Sequence, residues 1–178
     1  MLCSKTLQQQ QRIAFFFQTS GKMLDISPEN DGAILKEVKN VGVDPEDKPW
    51  KGDVVWVHYV GTLEDGTQFD SSRDRKERFS FKLGKGEVIK GWDIGVASMC
   101  KGEIAVFTIK SDYAYGDVGS PPKIPGGATL IFEVELFDFE GEDISKERDK
   151  SLIKRIKVNG EGYDHPNVSH YFKLTGLV

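Results

Sequence analysis

Cysteine is scarce in this chain of 178 residues. There are two, Cys3 and Cys100, and they stand far apart. No CxxC, HExxH or Cys/His cluster accompanies them, so a disulfide framework and a structural or catalytic metal site are both disfavoured. Two free thiols are the reading, and that fits a reducing compartment. No apolar run approaches the roughly 20 residues a helix needs to cross a bilayer. A basic stripe is also missing; the net charge is −4, which argues against nucleic acid as a partner. The glycine-rich stretches Gly84–Gly86 and 116–127 lack the GxxxxGK[ST] spacing of a phosphate loop. The three histidines, His58, His165 and His170, are scattered, and no nucleophile–base–orienter set is visible. Asn167-Val-Ser169 matches a glycosylation sequon, a pattern too short to carry weight without a secretory signal.

Aromatic rings and strand-like alternation are plentiful. In KGDVVWVHYVG, Val55, Val57 and Tyr59 share one face, and Trp56 and His58 share the other. An Asp-Gly turn follows in EDGT at 64–67, the strongest short hairpin cue. Phe79, Phe81 and Leu83 alternate again, as do Ala105, Phe107 and Ile109. Leu130, Phe132, Val134 and Leu136 line up against Glu133 and Glu135. Four strands, each with one apolar face, require a common cover. Between Glu87 and Met99, Val88, Trp92 and Val96 recur every four residues, which predicts a helix. Gly91 and Gly95 within it cost about 1 kcal/mol each in helix propensity but permit close approach to a sheet. The expected fold is therefore α+β: a curled antiparallel half-barrel sheet over one short helix.

The segment Ser111–Gly127 holds two tyrosines, three prolines and four glycines between two strands. A connection of that length is unusual unless it has a function. With Tyr59, Phe69, Phe79, Trp92, Tyr115 and Phe132 expected on or near the inner face, it reads as a rim over a ring-lined ligand pocket.

The organisation along the chain reads in four parts. Residues 1–22 are Gln-rich and free of acidic residues; they read as a disordered extension before an internal start at Met23, with a mitochondrial transit peptide as the alternative. Residues 23–140 form the main domain. Residues 141–150 read as a charged linker. The run SLIKRIKVNG from Ser151 then echoes AILKEVKNVG from Ala33, with Ile34 and Leu152, Lys36 and Lys154, and Gly42 and Gly160 each 118 positions apart. Residues 151–178 are accordingly read as the start of a second, truncated copy.

Four stretches together resemble one family: VHYVGTLEDGTQFDSSRDR, FSFKLGKGEVIKGWDIGVASMCKGE, DYAYG and IPGGATLIFEVEL. They look like the FKBP-type peptidyl-prolyl isomerases, the macrolide-binding immunophilins, over about Ala33 to Glu140, and specifically like the first domain of the large co-chaperone members. The resemblance implies a cofactor-free isomerase of X–Pro bonds that assists protein folding. A catalytically incidental binding module of a multi-domain co-chaperone is the alternative. It implies a pocket of Tyr59, Phe69, Asp70, Arg75, Phe79, Val88, Ile89, Trp92, Tyr115, Ile124 and Phe132. Trp92 would be the floor, and Tyr59, Phe69 and Phe132 the walls. The Ile89 N–H and the Tyr115 hydroxyl would donate to a substrate carbonyl, and Asp70 would be held by Arg75 and Tyr59. Asp70, Tyr115, Ile89 and Trp92 are the catalytic candidates, and Tyr113–Ile124 would be the flap.

The partners it implies are proline-containing peptides and client proteins, and macrolides such as tacrolimus and rapamycin. A heat-shock chaperone would bind only through tetratricopeptide repeats outside this chain. The expected location is the cytoplasm, with the nucleus also open. Ser120, Lys123 and Gly126-Gly127 depart from the small members of the family, and in the partial repeat Leu174 falls where Tyr59 would be, so a second pocket is not expected.

Overall fold

A computed structural model describes residues 21–147 and 149–155. Readings that fall on 1–20 and 156–178, including Leu174, lie outside the described residues. The elements in order are β1 (Met23–Asp25), β2 (Ile34–Asn40), β3 (Val54–Leu63), β4 (Gln68–Ser71), β5 (Phe79–Lys82), α1 (Lys90–Ala97), β6 (Ile104–Ile109), β7 (Leu130–Glu140), β8 (Glu142–Asp143) and β9 (Ile153–Lys154).

The main sheet is antiparallel throughout, in the order β1-β2-β6-β7-β3-β4. The long β3 carries two short partners along its far edge: β5 pairs with Val54–Val57 and β4 with Val60–Thr62. Alternation places Val55, Val57, Ala105, Ile109, Leu130, Val134 and Leu136 on one face, all fully buried. That face curls over α1, as expected for the α+β half-barrel. The reason lies in the helix itself. A Cβ on Gly91 would sit 2.5 Å from Ile109 Cγ2, and one on Gly95 would sit 3.0 Å from Phe107 Cε1. Only glycine lets the helix backbone rest on those side chains.

The helix is shorter than its periodicity predicts. It starts at Lys90, not Glu87, because Ile89 has ψ 149° and occupies the N-cap. Glu87 and Val88 form a bend that leads into it. The loop before them is pinned by Asp93 in the first helical turn, whose carboxylate accepts N–H groups from Gly84 (2.8 Å) and Gly86 (3.2 Å).

The described residues between 142 and 154 form a tight hairpin that copies the first one bond for bond. In β1–β2, Ser27 donates its N–H and hydroxyl to Asp25, Gly32 N–H donates to Asp25, Asp31 N–H to Ser27 Oγ, and Ala33 N–H to Asp31. In β8–β9, Ser145, Lys150, Asp149 and Ser151 make the same bonds to Asp143, Ser145 and Asp149, each 118 positions later. The strand register matches too: Asp25 faces Leu35, and Asp143 faces Ile153. The charges of this stretch satisfy its own backbone, which is why a run that reads as linker folds as a turn. Arg155 then reaches back to the main sheet, with its Nε 3.4 Å from the buried Asp53 and its guanidinium 5.2 Å from the centre of the Phe139 ring.

Candidate functional site

Where the sheet opens around the first turn of α1, aromatic side chains from four elements meet. Tyr59 comes from β3, Phe79 from β5, Trp92 from α1 and Phe132 from β7. Their rings pack mostly edge to face: Tyr59 on Trp92 at 4.9 Å, Trp92 on Phe132 at 5.2 Å, and Phe79 on Trp92 at 6.0 Å between centroids. Phe69 on β4 stands edge-on to Phe132 at 5.5 Å. These rings enclose a cavity of about 180 Å³, lined by Tyr59, Phe69, Asp70, Phe79, Glu87, Val88, Ile89, Trp92, Tyr115 and Phe132. An apolar cavity of about 150 Å³ is known to admit a benzene-sized ring, so there is room for a pyrrolidine.

Nine of the eleven residues singled out from the sequence line this cavity. The other two flank it: Arg75 lies behind Asp70 and Tyr59, and Ile124 lines an adjoining groove. Sequence reasoning missed Glu87 on the rim and Gly61 on β3. A Cβ at Gly61 would sit 2.7 Å from Phe69 Cζ and 2.9 Å from Phe132 Cε1. The two walls therefore meet over a residue with no side chain. The only signal in the sequence was a glycine inside a strand pattern, which marks a close approach.

The polar groups divide into engaged and free. Tyr59 O–H donates to Asp70 Oδ2 at 2.5 Å. Arg75 donates to Asp70 Oδ1 and, at 2.9 Å, to the Tyr59 oxygen, and the Ser71 N–H donates to Asp70 Oδ1 at 2.8 Å. Burial raises the Asp70 pKa, but the bonds from Tyr59 and Arg75 outweigh it, so the carboxyl stays below its usual 3.8. Burial, together with the bond to Asp70, raises Tyr59 above 10.0 against the opposing pull of Arg75. By contrast, among the described residues neither the Ile89 N–H nor the Tyr115 hydroxyl has a hydrogen-bond partner. Ile89 is free because it sits at the N-cap, where an amide has no carbonyl one turn back. The pocket is thus a ring-walled hollow with two available donors, a carboxylate matched by Arg75 and Tyr59, and the Glu87 carboxylate in its lining.

Tyr115 belongs to the long segment over the pocket. A single 3-10 turn, Ser111–Tyr113, opens it. Gly116 N–H then bonds Ser111 O, Gly127 N–H bonds Gly116 O, and a bridge joins Ser120 to Ile124. These bonds give a long connection a defined shape without strands or helix.

Residues 46–137 match the family described as FKBP-type peptidyl-prolyl cis-trans isomerase. The chain is 59% identical over 144 residues to the Mus musculus protein named peptidyl-prolyl cis-trans isomerase FKBP4; the match covers 81% of this chain and 31% of that protein. It is 49% identical over 136 residues to the Drosophila melanogaster FK506-binding protein 59, covering 76% and 30% of the two chains. A third relative, peptidyl-prolyl cis-trans isomerase FKBP2 of Mus musculus, is 58% identical over 93 residues, or 52% of this chain and 66% of that one. The chain thus spans about a third of the length of the first two. The match runs from before β3 to Phe137 in β7 and takes in every residue that lines the pocket, and on it this chain belongs to the FKBP-type peptidyl-prolyl cis-trans isomerase family.

Proposed function

We propose that the aromatic hollow binds X–Pro segments and catalyses rotation about their imide bond. The observation that carries this reading is a ring-walled cavity, wide enough for a proline ring, with the free Ile89 N–H and Tyr115 hydroxyl at its edge. Rotation is slow because twisting the amide breaks its resonance; the barrier is about 18–20 kcal/mol. The planar amide is more polar than the twisted one. A hollow walled by rings solvates the planar form poorly and so favours the twisted state by difference. The proline ring would rest on Trp92, and the carbonyl before it would accept from Ile89 or Tyr115. An acceleration of about 10⁵ requires about 7 kcal/mol of differential stabilisation. No nucleophile takes part. Asp70, tied to Tyr59 and Arg75, shapes the wall and holds the phenol in place.

The test is a prolyl-peptide isomerisation assay on the 178-residue chain. Turnover well above the uncatalysed rate is expected, and Asp70→Val should lower it by releasing Tyr59 and Arg75. A parent protein with no activity would remove the proposal. The same pocket is proposed to take macrolides such as tacrolimus, which should compete with the peptide.

The pH dependence follows from the two shifted groups. Asp70 remains ionised until the pH falls below 3.8, and Tyr59 remains protonated until it rises above 10.0. Between about pH 5 and 9 neither changes charge, so kcat/KM is expected to be flat across that range. An inflection near neutrality would mean that a different titrating group controls the reaction.

We also propose that a second copy of the fold opens at Glu142 rather than at Ser151. The bond-for-bond repetition of the first hairpin supports this boundary.

A further inference from the structure

Beside the pocket runs a second groove, of about 340 Å³, walled by Phe69, Asp70 and Tyr115 on the pocket side and by Ser120–Ile124 on the other. The first three residues are common to both spaces, so the groove adjoins the pocket on the flap side and is open to a chain that extends beyond it. Its lining carries two charged side chains, Asp70 and Lys123. They are not equivalent. Asp70 is already matched by Arg75 and by the Tyr59 hydroxyl. Lys123 has no ion-pair partner among the described residues; its Nζ makes one hydrogen bond, to the Phe69 carbonyl oxygen at 3.0 Å. That bond fixes the ammonium at the groove wall and leaves two N–H donors directed elsewhere. In the part of the pocket lining that the groove does not share, the charge has the opposite sign. Glu87 lines the pocket there, with one carboxylate oxygen bonded to the Lys82 N–H at 2.9 Å.

From this arrangement we infer that Lys123 is a specificity-determining residue: it selects substrates with an acidic side chain flanking the X–Pro bond on the flap side. The inference rests on the isomerase reading of the pocket and adds a substrate class to it. A glutamate laid in the groove meets an oriented ammonium, whereas the same residue against the rest of the pocket lining meets Glu87. A lysine in the groove meets like charge. The contact is solvent-accessible, so discrimination is modest, about three- to fivefold in kcat/KM at low salt. It weakens as the Debye length contracts from about 10 Å toward 3 Å.

The experiment uses the full chain and a set of proline peptides carrying Glu, Gln or Lys at each of the two positions on either side of the X–Pro bond in turn. At one flanking position Glu is expected to exceed Lys about three- to fivefold at low salt, mainly through KM. Lys123→Arg should keep that ratio, Lys123→Met should bring it near one, and Lys123→Glu should invert it. A set without preference at any position, or a Glu preference that survives Lys123→Glu, overturns the inference. Binding followed by the backbone amide signals of Gly119, Ser120, Lys123 and Ile124 keeps the two readings apart. If no peptide is turned over, the isomerase proposal fails. A Glu-dependent shift that Lys123→Met abolishes would still support the subsite, and its absence would end it.

Discussion

Lys36→Met is expected to lower the unfolding free energy by about 3–5 kcal/mol, the usual consequence of removing one member of a buried ion pair. Lys36 and Glu103 are both about 95% buried, with Nζ and Oε1 2.7 Å apart. The ammonium also donates to the carbonyl and hydroxyl oxygens of Ser98, each at 3.0 Å. Ser98 caps the C-terminus of α1, so the positive charge from β2 sits where the helix dipole favours a cation. The substituted methionine would fill much of the same volume. It would leave the Glu103 carboxyl without its partner in the interior and take the donor from the Ser98 carbonyl. The Glu103 carboxylate has a second duty, accepting the Cys100 N–H at 3.0 Å, so the damage would spread to the turn after the helix. Adding Glu103→Gln should recover part of the loss, because glutamine removes the unpartnered carboxyl and keeps an acceptor for Cys100. Urea unfolding of the two single variants and the double variant measures this as a coupling energy. A loss below about 1 kcal/mol for Lys36→Met would mean that water reaches the pair and screens it.

This pair shows where sequence reasoning is blind. In ILKEVKN the lysine at 36 falls on the same strand face as Ile34 and Val38, both buried. Alternation alone marks it as an interruption of an apolar row. Its partner is 67 positions away in sequence, and nothing local announces that the two charges meet. The apolar strands, by contrast, were legible because period-two alternation is a property of each segment on its own. The helix was legible by its four-residue spacing, but not its start. Val88 and Ile89 are apolar and fit the period, yet Ile89 has ψ 149° and ends the loop that the Asp93 carboxylate holds at Gly84, so the helix starts only after it. The pocket residues came from the family resemblance, and the structure gathers nine of them around one cavity. The hairpin at 142–154 is an instructive miss. Composition pointed to a linker, yet Asp25-Ile26-Ser27 and Asp143-Ile144-Ser145 are the same tripeptide 118 positions apart. The side-chain-to-backbone bonds that this tripeptide makes are what define the turn.

Gly61→Val is expected to lower kcat/KM at least tenfold while leaving a folded protein. The position lies mid-strand in β3, paired with Asp70 on one side and Phe132 on the other, and its backbone is compatible with a branched residue. The obstacle is above the strand. The first carbon of a side chain would lie within 2.9 Å of both Phe69 and Phe132, closer than carbon atoms can approach. Those two rings must move, and the space next to them is the cavity. Overpacking of this kind typically costs about 1–3 kcal/mol in stability, which a domain of this size is expected to survive. A comparable free energy taken from transition-state binding is a factor of ten or more in rate. Gly95→Ala serves as the control. Its new methyl would press on Phe107, also at about 3.0 Å, but beneath the helix and away from the pocket walls. A similar loss of thermal stability with far smaller loss of activity is expected there. If the two variants lost activity in parallel, rate would be tracking general stability rather than the shape of the hollow. If Gly61→Val kept full activity, isomerisation would not take place between Phe69 and Phe132 at all.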